Sequence, residues 1–369
     1  MTQLRVIDNF DDFRKLEQAW NELVSHTDVD HVYMKHQWFS EWIKAYEVKN
    51  SLTIVTIWRD GQLVAAAPLY RKPLKFKKVK ARGIGFLSSG VSPRCNFIAL
   101  DNQAMGELIT AVLGLSKWDI LITDNMEKNT FFTEYFIDFL KSAKNNYSYN
   151  MEPGFQSLYL PIEGSWDNYW KSLSRKWRTN FKRYSLERLE TVRSFEVNHI
   201  RAESEGVEFF PEMFNISKKS WKASVENHLV PDSPLGRLYS NFTPIGLRQG
   251  WIYIPNLKIN GSFAGYVYFL HHNGKYVGIR AEFDEDFKSC SPGNNLHLAI
   301  IKDLFKSGQT CEYDLGPDAL YKRNFCDKIK KHVTVFVGNK NIKGRWIMFT
   351  KNYIMPVWRK ISSKAETPA

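Results

Sequence analysis

The sequence lacks most of the features that identify cofactor or membrane chemistry directly. Its four cysteines form no C-x-x-C pair and join no histidines at zinc-ligand spacing. It contains no Gly-x-Gly-x-x-Gly fingerprint and no P-loop. No apolar run approaches the roughly 18 residues of a membrane helix, and no apolar signal region follows Met1. Scattered cysteines fit a reducing compartment, so we expect a cytoplasmic protein without a bound metal.

Positive charge is abundant and clustered. The net charge is +12, and residues 71–82, 171–188 and 321–345 are rich in Lys and Arg. Such clusters favour anionic partners such as phosphorylated cofactors, nucleotide sugars, tRNA or acidic lipid, although a single lysine is usually just solvated surface. At 369 residues and 43% hydrophobic content, the chain is typical of two globular domains.

The first 160 residues predict a complete unit of mixed helices and strands. Apolar residues at helical spacing alternate there with short β-rich runs, and Arg59-Asp60-Gly61 indicates a hairpin turn. The predicted strands are 4–7, 52–58, 63–69, 84–87, 96–100, 118–123 and 157–160. One helix is predicted to end at Val24, and three more are predicted at 37–46, 105–115 and 130–143.

A single long helix is predicted to open the second half. Aromatic and apolar residues from Trp166 to Tyr184 recur at spacings of three and four, and a basic stripe runs beside them. The basic stripe includes Arg175, Arg178 and Lys182. The two stripes could together bind RNA or a phosphate-bearing ligand. Alternatively, the aromatic stripe could pack into the core while the basic stripe is solvated.

Three antiparallel strands are predicted next, at 251–259, 263–271 and 276–283, with Asn260-Gly261 as an explicit hairpin signal. Ser291-Pro292-Gly293 then starts a helix. Ser291 can cap it, Pro292 suits its first position, and Gly293 lets a ligand approach the backbone. A helix start of this kind favours a phosphate, and an ordinary capped helix is the alternative. Strands at 311–315 and 332–337 follow.

This order of elements resembles the GNAT acyltransferase fold. Stretches spread over most of the chain make it similar to the CelD-like, polysaccharide-biosynthesis group of that superfamily, which is related to tandem-GNAT Fem-type transferases. They are Phe13 to Trp20 with Trp38 and Trp42, residues 61–70, residues 173–183, residues 283–293, and Tyr313 to Gly316 with Tyr321-Lys322. The resemblance implies an α+β fold of two tandem GNAT-like domains, each a mostly antiparallel mixed sheet flanked by helices. They would span residues 1–160 and 161–343, followed by a basic aromatic tail at 344–369.

The resemblance also implies where a donor would bind. In GNAT proteins the loop and helix after the fourth strand hold the coenzyme A pyrophosphate, and the splayed fourth and fifth strands hold the thioester. This puts acyl-CoA near Lys288, Ser289, Ser291, Gly293, Asn294 and Asn295. The usual loop, Arg/Gln-x-x-Gly-x-Gly/Ala, is replaced here by Lys288-Ser-Cys-Ser-Pro-Gly293. Fem-type relatives use aminoacyl-tRNA, so that donor stays open.

Acyl transfer to an amine needs a base and a group that stabilises the carbonyl oxygen and the leaving group. Asp314, expected at a strand end, is the first candidate base or amine-binding carboxylate, and a turn-capping role is its alternative. Glu282 is the second candidate base, or else a solvated strand end. Tyr321 could protonate a leaving thiolate. The candidate substrate-binding residues are Arg280, Lys322, Arg175, Arg178 and Lys182.

We therefore expect an N-acyltransferase that moves an acyl group from acyl-CoA to an amine, such as an amino sugar or sugar nucleotide in surface-polysaccharide synthesis. The alternatives are an aminoacyl-tRNA-dependent transferase of Fem type and a non-catalytic module that binds an anionic glycan or lipid. The basic aromatic tail that begins near Trp346 could rest on an anionic membrane, or it could pack on its own domain.

Overall fold

The computed structural model describes residues 1–76, 79–88, 94–143, 147–183 and 192–354. It divides into two compact units, the described residues of Met1–Phe155 with Lys331–Ala369, and Gln156–Lys330. Residues 331–343, predicted as part of the second domain, thus group with the first unit. Tyr184 of the aromatic stripe, the lysines at 77 and 78, and the tail beyond residue 354 lie outside the described residues.

The regular elements of the described chain are numbered in sequence order. The strands are β1 (Thr2–Ile7), β2 (Ile54–Arg59), β3 (Gln62–Ala67), β4 (Leu69–Phe76), β5 (Val79–Phe86), β6 (Ile98–Ala99), β7 (Ile120–Glu127), β8 (Ser148–Ile162), β9 (Phe195–Ile200), β10 (Ile252–Ile259), β11 (Ser262–His272), β12 (Lys275–Phe283), β13 (Cys311–Pro317) and β14 (Ile329–Gly338). The helices are α1 (Phe10–Arg14), α2 (Glu17–Ser25), α3 (His36–Ala45), α4 (Asn102–Leu113), α5 (Phe131–Ser142), α6 (Trp166–Ser172), α7 (Arg175–Phe181), α8 (Glu203–Lys219), α9 (Pro234–Arg248), α10 (Pro292–Lys306) and α11 (Ile342–Phe349).

The first unit contains two groups of paired strands. One has the order β1-β2-β3-β6, and the other joins β4 to β5, β5 to β7 and β7 to β14. The described residues of the first basic cluster, 71–76 and 79–82, lie in the long β4–β5 hairpin, for which the sequence offers no clear pattern. The helix predicted to end at Val24 is two helices, α1 and α2, with Asn9 capping the first through the backbone N–H of Asp12.

The second unit is built on a sheet with the order β8-β13-β12-β11-β10-β9. The three predicted antiparallel strands are confirmed as β10, β11 and β12. Asn260-Gly261 and Asn273-Gly274 make their turns with positive φ at both residues, as type I′ hairpins require. Alternation along β11 gives the sheet two covered faces: Tyr266 packs against Phe209 of α8, while Phe269 belongs to the cluster that includes α10.

The predicted aromatic helix is broken into α6 and α7, and each begins with a serine that accepts a backbone N–H: Ser165 from Asn168 and Ser174 from Trp177. Its aromatic side chains pack against the core of the second unit, partly stacked on one another and edge-on against Phe305 and Phe325. The interpretation of this stripe as core is therefore confirmed.

One structural motif occurs in both units. In the first, β5 and β7 are parallel neighbours, and the chain between them contains α4. In the second, β12 and β13 are parallel neighbours, joined through α10. A parallel pair needs such a crossover connection. The repetition agrees with the predicted α+β fold of two similar units, each with mostly antiparallel strands and flanking helices.

Candidate active site

Strands β12 and β13 part after a short paired segment. Pairing runs from Lys275 opposite Glu312 to Val277 opposite Asp314. Both strands are fully described, yet β12 continues from Gly278 to Phe283 without a partner in β13. We call this gap between residues 278–283 and 315–317 the fork. The two strands are therefore not paired along their whole length, as an extended substrate lying between them would require.

A glycine makes the close approach at the base of the fork possible. Gly316 has φ +76°, in the left-handed region that favours glycine, and a Cβ there would lie 2.6 Å from the carbonyl oxygen of Gly278. Gly316 therefore lies against the Gly278 carbonyl, although the two strands are no longer paired there.

Asp314 lies at this base rather than at a strand end, because β13 continues to Pro317. Its side chain is buried at 1% exposure. One carboxylate oxygen accepts the backbone N–H of Gly316 at 2.7 Å, and the other accepts the Ser157 hydroxyl at 3.3 Å. Asp314 therefore shapes the bend in β13, as its turn-capping alternative predicts.

Lys322 reaches into the same region from the loop after β13. Its Nζ donates to the carbonyl oxygens of Leu315 at 2.7 Å and Pro317 at 2.8 Å. Burial lowers the pKa of Lys322 to about 8, the positive charge of Lys222 adds to this, and the carboxylate of Asp314 opposes it. Two of its three N–H groups are used, so the third can meet a substrate oxygen. The neighbouring Tyr321 is 44% exposed.

Glu282, on the β12 side, is not the solvated strand end considered as its alternative. Its side chain is 0% exposed. It accepts the Tyr266 hydroxyl at 2.6 Å and Arg280 Nη2 at 2.5 Å. Arg280 thus pairs with Glu282, and it also donates to the carbonyl oxygen of Asn227 at 2.8 Å. A carboxylate held this way is a structural anion and a poor choice for a mobile base.

Lys222 is a site residue that sequence reasoning missed. It lies on the short helix Trp221–Val225, donates to the carbonyl oxygen of Ala281 at 3.0 Å and is 3.7 Å from Glu282. Burial lowers its pKa to about 8. Its segment reads as an ordinary lysine-rich helix end, so no local signal separates it from solvated lysines. A buried lysine thus contacts each strand of the fork.

The predicted phosphate loop is partly as expected. A short helix, Glu285–Cys290, precedes α10, and Pro292 occupies the first turn of α10 as predicted. Ser291 has φ +50°, and its side chain makes no capping hydrogen bond, so that prediction is wrong. The Asn295 amide instead donates to the carbonyl oxygen of Cys290 at 2.7 Å, which holds the loop closed. The backbone N–H groups of the first turn, including those of Gly293 and Asn294, have no intrahelical acceptors.

The charges around this loop are mixed. Lys288 is largely exposed and lies 3.1 Å from Glu285, and Ser289 is exposed beside it. Lys219 pairs with Asp284 at 2.9 Å and with Asp286 at 3.4 Å. A bound phosphate would meet nearby carboxylates as well as the cations. The free backbone N–H groups are therefore the main attraction for an anion at this helix start.

The predicted basic stripe lies beside the loop that carries Lys322. The Trp177 ring of α7 packs edge-on against Phe325 with centroids 5.5 Å apart. Arg175 and Lys182 are exposed, whereas the half-buried Arg178 donates to the carbonyl oxygen of Leu173 at 3.1 Å. No contact of these three side chains with Asp314, Glu282 or Lys322 occurs within the described residues.

Two other reactive side chains near the fork are not suited to nucleophilic or base chemistry. Burial raises the pKa of the Cys326 thiol to about 12, which disfavours a thiolate. Burial lowers the pKa of His297 to about 3, and its ring bonds the Tyr313 hydroxyl at 2.6 Å. Within the described ranges, no three His, Cys, Asp or Glu side chains come together as a metal site would need.

Comparison with protein families gives one match relevant to this geometry. Residues 175–323 match the family model described as an acetyltransferase (GNAT) domain. This range contains α7 to α10, the fork and Lys322. This part of the chain is therefore similar to GNAT acetyltransferase domains, in agreement with the resemblance. No curated protein matches the sequence.

Solved structures share the fold over most of the chain. The structure of FemX is similar with a TM-score of 0.54 and 12% identity, covering 87% of this chain and 95% of that one. A protein of unknown function from Bacteroides thetaiotaomicron is similar with a TM-score of 0.53 and 9% identity, covering 92% of this chain and 100% of that one. At such identities the likeness concerns the fold alone.

Proposed function

We propose that this protein is an N-acyltransferase that moves an acyl group from acyl-CoA to an amine, with the reaction at the fork between β12 and β13. The observation that carries the proposal is the parting of these strands beside Asp314 and Lys322. Apart from the Ala281 carbonyl, which accepts Lys222, the backbone groups of β12 beyond Val277 that face β13 are not paired with β13, and an extended ligand could pair with them as an added strand would.

In the proposed reaction the amine nitrogen attacks the thioester carbonyl carbon, and the C–S bond breaks as the C–N bond forms. The carbonyl oxygen gains negative charge in this step. The third N–H of the Lys322 ammonium is available to stabilise that charge, and burial strengthens the interaction. Asp314 binds the incoming amine and takes its proton as the C–N bond forms, and Tyr321 or solvent gives a proton to the departing thiolate. Glu282 and Arg280 keep β12 and Lys222 in place.

The donor pyrophosphate is proposed to lie at the start of α10, on the N–H groups of Gly293 and Asn294 with Lys288, Ser289 and Ser291 around it. Asn295 supports the loop from inside. An amino sugar or a sugar nucleotide of surface-polysaccharide synthesis is the proposed acceptor. Arg175, Arg178 and Lys182 remain the proposed contacts for its anionic part.

Isothermal titration of the purified protein with a panel of acyl-CoA thioesters tests the donor, and thiol release with amine acceptors tests the reaction. We expect Lys322→Met to lower kcat by about 10²–10³-fold, the range for losing one oxyanion donor, while acyl-CoA still binds. Lys306→Met, at an exposed position of α10, is the matched control and should leave both quantities unchanged. Absence of binding for the whole panel would overturn the acyl-CoA proposal.

One observation favours a second donor. The carbonyl oxygen of Ala281, on the free edge of β12, already accepts Nζ of Lys222 at 3.0 Å, so a pantetheine amide would have to displace that lysine. Three acidic residues, Asp284, Glu285 and Asp286, also precede the phosphate loop. An aminoacyl-tRNA donor has no pantetheine arm and would not have to displace Lys222, although the acidic residues would oppose its phosphates as they would those of coenzyme A. Transfer that survives ribonuclease treatment would exclude this second candidate.

A further inference from the structure

Helix α11 and the turn that follows it expose a row of large apolar side chains. Ile342 is 88% exposed, Trp346 40%, Phe349 56% and Tyr353 65%. The spacings of four, three and four residues bring them onto one side, and we call these four residues the apolar row. Ile347 and Met348, on the other side, are fully buried in the core of the first unit. The helix is therefore apolar towards both the protein and the solvent.

Positive charge surrounds the apolar row. Residues 339–354 contain three exposed cations, Lys340, Lys343 and Arg345, and no acidic residue. The β4–β5 hairpin adds to this surface, because the Phe76 ring lies edge-on to Trp346 with centroids 6.3 Å apart. Lys75 and Lys80, which are opposite one another on that hairpin, are both exposed.

A polar cleft of about 670 Å³ borders the same helix. Lys340 and Arg345 line it, together with Tyr353 of the apolar row. Two more lining residues, Asn150 and Asn352, have buried amide oxygens that accept no hydrogen bond from any described residue. The cleft therefore offers two cations for a phosphate, as an anionic phospholipid headgroup needs.

We propose that α11 docks on the surface of an anionic lipid bilayer, with the apolar row at the acyl boundary and a phosphate headgroup in the cleft beside Lys340 and Arg345. Helices with a Trp-containing apolar face and basic flanks lie in the membrane interface in this way. A second copy of the chain is a poorer occupant, because the basic flanks of two copies would repel one another. The inference is independent of the reaction at the fork.

Co-sedimentation of the full chain with vesicles tests this proposal. We expect binding to vesicles that contain phosphatidylglycerol and little binding to vesicles of phosphatidylcholine alone, with added salt weakening the interaction. At about 1 kcal/mol for each basic residue near the surface, Lys340→Gln/Lys343→Gln/Arg345→Gln should weaken binding on the order of 100-fold. Ile342→Asp/Phe349→Asp removes apolar area at exposed positions and should also abolish most binding.

Val207→Asp, at a 51% exposed apolar position on α8, is the matched control and should bind as the unchanged chain does. A urea denaturation midpoint equal to that of the unchanged chain reports that each variant is folded. The proposal is overturned by equal binding to the two kinds of vesicle or by wild-type binding of both multiple variants. It is also overturned if sedimentation velocity shows a dimer that Ile342→Asp/Phe349→Asp dissociates. Loss of vesicle binding in millimolar inorganic phosphate alone would overturn it as well.

Discussion

Replacing Glu282 by Gln should reveal how much the β12 side of the fork depends on one buried charge. The carboxylate is fully buried, bonds Arg280 and Tyr266, and lies 3.7 Å from Lys222. Removing one partner of a buried ion pair costs about 3–5 kcal/mol, because the remaining charge stays desolvated. The Gln oxygen can still accept one hydrogen bond, so we expect the free energy of unfolding to fall by about 3 kcal/mol.

Urea denaturation followed by tryptophan fluorescence measures this change, together with the melting temperature. For a unit of this size we expect the melting temperature to drop by about 2–4 °C per kcal/mol. Glu285→Gln is the matched control, because Glu285 is 32% exposed and pairs with the exposed Lys288. Such surface pairs contribute about 0–1 kcal/mol. If the two variants lose the same stability within about 0.5 kcal/mol, the assignment of Glu282 as a buried structural anion is refuted.

Two further predictions concern the β13 side. Because Lys322 acts as an ammonium and its pKa is lowered to about 8, turnover should fall as pH rises through that value. Lys322→Arg should move this fall in turnover to higher pH. A pH–rate profile that the variant leaves unchanged would contradict the proposed role of Lys322. The same pKa shift should raise the free energy of unfolding as pH rises from about 8 towards 10.5, because the unfolded chain still holds the proton that Lys322 has lost in the folded chain. Urea denaturation at several pH values across this range checks the sign. Gly316→Ala should lower the free energy of unfolding by about 1–3 kcal/mol more than Gly308→Ala does. Both glycines have positive φ, but only at Gly316 would a Cβ meet a backbone atom, the Gly278 carbonyl oxygen. Urea denaturation of the two variants measures the difference, and equal losses of stability would show that the contact relaxes.

Local signals in the sequence predicted much of the second unit. Asn260-Gly261 predicts its hairpin because both turn positions need positive φ, and the alternation of the flanking residues sets the strands. Pro292 predicts the start of α10 because its missing N–H costs nothing in the first turn. These inferences depend on residues a few positions apart, so sequence reasoning could reach them. They also led to the strand order that resembles a GNAT domain.

Local reasoning was less successful for side-chain roles near the fork. Ser291 has the composition of a capping residue, yet the preceding short helix forces it into a left-handed conformation that turns its side chain away from capping. Asp314 was predicted at a strand end, yet β13 continues because β8 pairs with its far side. In both cases a neighbouring element changed the conformation that the local sequence favours.

By itself, the sequence determined the three strands β10 to β12 with their hairpin turns, the aromatic face of α6 and α7, and the excess of positive charge. The tertiary structure alone decided which charges are buried. Glu282 and Lys222 are far apart in the chain, and they meet because the short helix Trp221–Val225 places Lys222 against β12. The energy of a charge depends on the protein and solvent around it in three dimensions, and composition and spacing along the chain do not contain that information.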